Sequence, residues 1–275
     1  MTSLQERIHT FGKDNCLVGI HCAGHDNKFP AVLFWNAGLL HRVGPNRLYV
    51  DLARRLSKLG FHTFRFDLSG LGDSQQRKDT LTEEARTITE INDAMDLLKK
   101  ETQVSHFILI GLCSGAFNAH QSTFQNNNII GTVFLDGFAY RTWRFYWYYV
   151  IKRLKAPRFW KKLLIHPYRR TGTRFNENLI KEGTFIQQYP PRERVKSEIV
   201  QCIKRGVRLL YIYSSGSHQY YNYQNQFVDM YHPIETKGLI EFEYYYEADH
   251  TYTLLEDRKK LMDRICRWLQ IYFTQ

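Results

Sequence analysis

Short runs of apolar residues recur along the chain at Cys16–Ile20, Ala31–Trp35, Phe61–Leu68, His106–Leu112, Ile129–Leu135, Val207–Tyr213 and Leu239–Tyr246. Most are continuous rather than alternating, as in strands covered on both faces. Between them the apolar period lengthens to that of a helix. Leu48, Leu52, Leu56 and Leu59 mark one helix over 47–59, stopped by Gly60. Ala85, Ile88, Ile91, Met95 and Leu98 mark a second over 83–100, with acids in its first turn and lysines in its last, as the helix dipole favours. Leu261, Ile265, Trp268 and Leu269 mark a last helix over 254–272. Strand–helix alternation of this kind predicts an α/β fold, a mostly parallel sheet with helices on both faces. The alternation breaks after Asp136, and the next clear strand begins at Val207. A gap that long is no simple crossover. It predicts an insertion over 138–200 with helices of its own above the sheet's carboxyl edge, on a core made of 1–137 and 201–275.

Composition excludes several classes. The chain of 275 residues is 43% hydrophobic and 24% charged, which rules out disorder and leaves ample material for a core. No apolar run approaches the ~18 residues of a membrane span. The first residues, Met1-Thr2-Ser3-Leu4-Gln5-Glu6-Arg7, lack the charged-then-apolar pattern of a secretory signal. The five cysteines are scattered and form no CxxC pair, which fits a reducing cytoplasm.

The net charge of +11 is concentrated. Residues 138–176 hold eleven Lys or Arg and no Asp or Glu, so the remainder carries 38 − 11 = 27 basic against 27 acidic residues. The same stretch is rich in Trp, Tyr and Phe. Such an insert suits a lid over an apolar pocket, a peripheral contact with an anionic membrane surface, or a dock for an acidic acyl-carrier protein. A solvated basic cap over an aromatic core is the plainer alternative. Nucleic acid is not expected, because no reading fold accompanies the charge.

The strongest local signal is the strand His106–Leu112 running into Gly111-Leu112-Cys113-Ser114-Gly115-Ala116 and a small-residue helix start. Strand, Gly-x-Cys-x-Gly and helix form a nucleophile elbow with cysteine at its tip. The glycines leave room for the strained turn, and the following helix aims its positive end at the Cys113 side chain, favouring a thiolate. A buried structural cysteine is the alternative, as is Ser114, one residue into the helix, as nucleophile.

Three further motifs follow the same order along the chain. Ala31–Gly38 resembles the strand and oxyanion loop of the α/β-hydrolase superfamily, with Asn36-Ala37-Gly38 in place of the usual His-Gly. Phe64–Ser74 resembles its next strand and D-x-x-G-x-G-x-S turn, and Ala248-Asp249-His250 before the last helix resembles its histidine loop. With Gly-x-Cys-x-Gly, the chain is similar to the cysteine-nucleophile branch, which includes dienelactone hydrolases and serine-aminopeptidase-like proteins. The resemblance implies an α/β-hydrolase fold, an acyl ester or thioester substrate and a covalent acyl-cysteine intermediate. It implies His250 as base, and Asp136, at the end of the strand after the elbow, as the acid. Asp249 is a weaker candidate acid. The usual place for the acid, the loop 214–219, holds no carboxylate, and Ser217 stands there instead. A Cys–His dyad is an alternative. The oxyanion hole is expected from the backbone N–H of Ser114 with that of Gly38 or Leu39. Asn36, Arg42 and Arg47 are candidate substrate contacts, whereas Asp67, Gly70, Gly72 and Asp73 suit a structural turn. No cofactor or metal is expected, since P-loop, dinucleotide and zinc spacings are all missing. Acyl transfer by the same intermediate, or an inactive binding protein on the same fold, remain alternatives.

Overall fold

The computed structural model describes residues 5–155 and 189–274. The long apolar runs become strands buried along their length: β3 (Ala31–Phe34), β4 (Thr63–Asp67), β5 (Phe107–Leu112), β6 (Ile129–Leu135) and β7 (Arg208–Ser214). With β1 (Glu6–Phe11), β2 (Leu17–Cys22) and β8 (Ile240–Tyr245) they form one sheet in the order β1-β2-β4-β3-β5-β6-β7-β8. Pairing is parallel from β4 through β8 and antiparallel where β2 meets β4 and β1 meets β2.

Strand period decides which helix each side chain meets. Phe107 and Leu109 of β5 join one core with Ile91, Met95 and Leu98 of α2 (Glu83–Thr102) and Ala116 of α3 (Ser114–Gln125). Ile108 and Ile110 face the other way. There they meet Leu52 and Leu56 of α1 (Leu48–Lys58), and Leu261, Ile265 and Leu269 from the last helix (Leu255–Phe273). The start of α2 is capped by Thr82, whose hydroxyl accepts from the Ala85 N–H at 3.3 Å, with Glu83 and Glu84 in the first turn.

Two elements escaped the apolar pattern. β1 is an edge strand that among the described residues pairs only with β2, and it leaves Ile8 exposed, so its sequence ERIHTF has no core run to reveal it. Between β6 and β7, α4 (Trp143–Lys155) is followed by α5 (Arg192–Lys204). The expected core boundary at 200/201 falls inside α5, and the helix belongs with the core. Its Val195, Ile199, Cys202 and Ile203 are buried in the α2–α3 layer, and its Glu198 binds His120 of α3 at 2.8 Å with both side chains buried. α5 is therefore the crossover from β6 to β7. A short α6 (Gln226–Tyr231) precedes β8, and the last helix is α7. The stretch 156–188, which holds much of the basic insert, lies outside the described residues.

All five cysteines are free thiols. No helix among the described residues is long and apolar enough to cross a membrane.

Candidate active site

The carboxyl ends of β5, β6, β7 and β8 bring the chemistry together. Cys113 caps α3 with φ 56° and ψ −120°, a left-handed backbone no ordinary helix start adopts. Tight packing enforces it: a Cβ on Gly111 would lie 2.2 Å from the Gly115 carbonyl oxygen, so only glycine permits this turn. The Cys113 N–H is tied to the Leu135 carbonyl at 2.9 Å, which fixes the elbow against β6.

Asp136 follows β6, and its side chain is almost fully buried. Its Oδ2 accepts from His250 Nδ1 at 2.7 Å. Cys113 lies near enough to the same ring to act on its charge. The hydrogen bond to Asp136, and next the neighbouring Cys113, raise the His250 pKa from 6.5 to about 10, against the opposing effect of burial. The ring is thus held as an imidazolium between two groups that favour its charge.

The loop after β7 lacks a carboxylate but is built around one. The Ser214 N–H and the Ser217 hydroxyl each donate to Asp136 Oδ1 at 2.6 Å, and the Ser214 hydroxyl donates to Oδ2 at 2.6 Å. Ser217 stands where a carboxylate was sought, and it donates to the Asp136 carboxylate that follows β6. Ser214 carries two of these contacts and was missed by sequence reasoning. Its only signal was a Ser-Ser-Gly-Ser stretch, which reads equally as a plain turn. Gly216 lets this loop meet the histidine loop, since a Cβ there would lie 2.4 Å from His250 Cβ. Asp249 turns away from the ring and accepts from the N–H and hydroxyl of Thr251, both at 2.7 Å.

The oxyanion side is less open than expected. The Gly38 N–H donates to the Ser114 hydroxyl at 2.7 Å, so that hydroxyl occupies the donor an oxyanion would use. The Ser114 N–H is the first amide of α3 and has no acceptor within the helix. Leu39, with its side chain 71% exposed, borders the same opening.

Asn36 and Arg42 are corrections. Both were expected to meet substrate, and both are buried around Asp67. Asn36 Nδ2 donates to Asp67 Oδ1 at 2.9 Å, and its Oδ1 accepts from the Leu68 N–H at 2.6 Å. The Arg42 N–H donates to Asp67 Oδ1 at 2.7 Å, while its guanidinium binds Asp67 Oδ2 and reaches Asp73 at 2.6 Å. Their polar groups are spent joining the Gly38 loop to the Asp67–Ser74 turn. Arg47 is exposed beside this loop with φ 65°. His41, Asp67 and Asp73 present ligand atoms within 4.8 Å of one another. The Arg42 guanidinium already lies on both carboxylates and supplies the cation there. Replacing Arg42 with alanine takes the guanidinium away from the buried Asp67 carboxylate, which is expected to cost about 3–5 kcal/mol of stability. Urea denaturation of Arg42→Ala measures this, and a shift near zero would mean that Asp67 is satisfied without its partner.

Aromatic rings border the site on the insertion side. Phe117, one turn beyond Cys113, stacks on Phe138 at 4.5 Å, and Tyr189 meets both edge-on at 5.2 and 5.6 Å. Burial raises the Tyr189 pKa, with Tyr220 and Cys113 adding to the effect.

Solved structures share this fold. One is an esterase from Pyrococcus furiosus, 14% identical, covering 98% of this chain and 91% of its own, with a TM-score of 0.58. Another is a serine hydrolase without lid from Xanthomonas campestris, 10% identical over 100% of this chain and 97% of its own, with a TM-score of 0.57. The chain has the α/β-hydrolase fold. A third structure with this fold, a serine hydrolase homologue from Coxiella burnetii, is 13% identical over 98% of each chain with a TM-score of 0.56. No family model and no curated protein sequence matches the chain.

Proposed function

We propose that the chain is an ester or thioester hydrolase that works through an acyl-cysteine. The observation that carries this is the imidazole of His250, hydrogen-bonded to the buried carboxylate of Asp136 and close to Cys113, which adds to the upward shift of its pKa. A nucleophile, a base and a group orienting the base are the minimum for acyl transfer to a side chain. The Cys113 thiolate attacks the carbonyl carbon, and the tetrahedral oxygen takes up the charge. The His250 imidazolium gives its proton to the departing alcohol or thiol, leaving a thioester on Cys113. The now neutral His250 takes a proton from water, the hydroxide attacks the thioester, and the thiolate departs to re-form the ion pair.

Neighbours of this fold are named as esterases and serine hydrolases, and the wall of Phe117, Phe138 and Tyr189 suits an apolar acyl group. The missing carboxylate after β7 does not argue for a spent site, because three hydrogen bonds from that loop converge on Asp136. Ser114 is the less suited nucleophile, since its hydroxyl is engaged by the Gly38 N–H. That hydroxyl must rotate away before an oxyanion can use the donor.

A p-nitrophenyl ester tests the proposal. After a short incubation and an acid quench, peptide mass mapping should find the acyl group on Cys113. An adduct on Ser114, or a chain that stays unmodified and releases no nitrophenol, would overturn it.

A further inference from the structure

Helix α4 is amphipathic in an unusual sense. One side is fixed to the body. Phe145 is 3% exposed, Thr142 accepts from the Phe145 N–H at 3.1 Å, and Asn222 donates to the Phe145 carbonyl at 3.0 Å. Tyr148 stacks on Tyr223 with centroids 5.1 Å apart. Its other side is also apolar and faces water: Trp143 and Trp147 are 71% and 61% exposed, Tyr146 and Val150 53% and 49%. Positions 143, 146, 147 and 150 lie on one helical stripe, the spacing by which a helix normally meets a partner or a core.

The surroundings of this stripe are one-signed. Between Phe138 and Lys155 the sequence has Arg141, Arg144, Lys152, Arg153 and Lys155 and no acidic residue, although the chain outside 138–176 is formally neutral. The helix is anchored above the carboxyl edge of the sheet, where Arg141 Nε donates to the Gln219 carbonyl at 2.9 Å in the loop after β7. That is the edge to which Cys113 opens. Exposed leucines also border this edge, Leu39 beside the nucleophile and Leu254 and Leu255 just beyond the histidine loop.

We infer that α4 and the rim around Cys113 form a docking surface for an anionic lipid bilayer, with the stripe Trp143–Tyr146–Trp147–Val150 entering the interface and the flanking cations meeting lipid headgroups. Tryptophan and tyrosine prefer the depth where hydrocarbon meets headgroup, and basic residues beside such a helix add attraction to anionic lipid. An acidic protein would answer the charge equally well. It would not by itself account for two tryptophans held out in water on the same stripe. The inference goes beyond hydrolysis and does not depend on it, since docking needs no reaction.

Co-sedimentation with vesicles tests it. The full chain should bind vesicles of phosphatidylcholine with about a third phosphatidylglycerol, and bind pure phosphatidylcholine far less. Raising salt should weaken binding, because exposed charges are screened beyond about 8 Å at physiological ionic strength. The double variants Trp143→Ala/Trp147→Ala and Lys152→Glu/Arg153→Glu should each bind anionic vesicles at least roughly tenfold more weakly. Both should keep the wild-type circular dichroism and the wild-type hydrolysis of a soluble short-chain ester. Cys113→Ala should bind vesicles as the wild type does, which separates this inference from the hydrolytic proposal. It is overturned if the full chain ignores anionic vesicles, if both double variants bind as well as the wild type, or if the chain is retained by an acidic phosphopantetheine carrier protein and not by vesicles.

Discussion

Replacing Cys113 with alanine is expected to abolish the acyl adduct and to lower turnover of an activated ester by on the order of 10⁴-fold or more, the scale on which loss of a nucleophile acts. Replacing Ser114 with alanine is expected to leave both measurable. The contrast rests on position. Cys113 sits at the strained tip of the elbow and acts on the charge of His250, while the Ser114 hydroxyl lies against the Gly38 N–H 2.7 Å away. Alanine at 114 keeps the backbone N–H that the oxyanion needs and frees the Gly38 donor, so turnover could even rise. The measurement is the nitrophenol burst and steady state for both variants beside the wild type. A dead Ser114→Ala with a live Cys113→Ala would move the nucleophile by one residue and sink the cysteine mechanism.

Much of this architecture could be read from apolar runs alone, because strands buried on both faces leave an unmixed signal. β5 is buried at all six positions and was evident, whereas β1 is mostly exposed at the sheet's edge and was not. The crossover helix α5 was also hidden. Its buried positions include Glu198, which is hydrogen-bonded to His120, so the apolar stripe is interrupted where a buried polar pair replaces it. Elbow and histidine loop were legible because steric necessity leaves glycines and order behind. The parts misjudged were polar residues near the site. Asn36 and Arg42 have side chains suited to substrate, and sequence does not reveal that Asp67 consumes them first. The Asp67 turn was rightly taken as structural, but its reach across to the Gly38 loop depends on contacts between β3 and β4 that only the fold supplies.

Asp136→Asn is expected to slow turnover on the order of 10²- to 10⁴-fold, because an amide cannot satisfy the four donors that converge on the carboxylate. If its NH₂ takes the place of Oδ1, it faces the Ser214 N–H, which has no other role to adopt. If it takes the place of Oδ2, the imidazole must present a bare Nδ1 and carry its proton on the edge facing Cys113, the wrong tautomer for a base. Ser217→Ala removes one donor and leaves three, so about a tenfold loss is expected. Asp249→Asn touches only the Thr251 and Thr253 contacts of the loop and should cost less. Equal small losses in all three would mean that Cys113 and His250 work as a dyad. A second readout distinguishes orientation from mere folding. The native His250 pKa of about 10 lies above its ordinary 6.5, so the stabilisation from its charge is full below pH 6.5 and is lost as pH climbs through about 10. The wild type should therefore lose urea resistance across that window. Asp136→Asn, lacking the first-ranked cause of the shift, should lose much less over the same range. An unchanged pH slope in the variant would show that Asp136 does not hold the charge on His250, and the triad would reduce to its other two members.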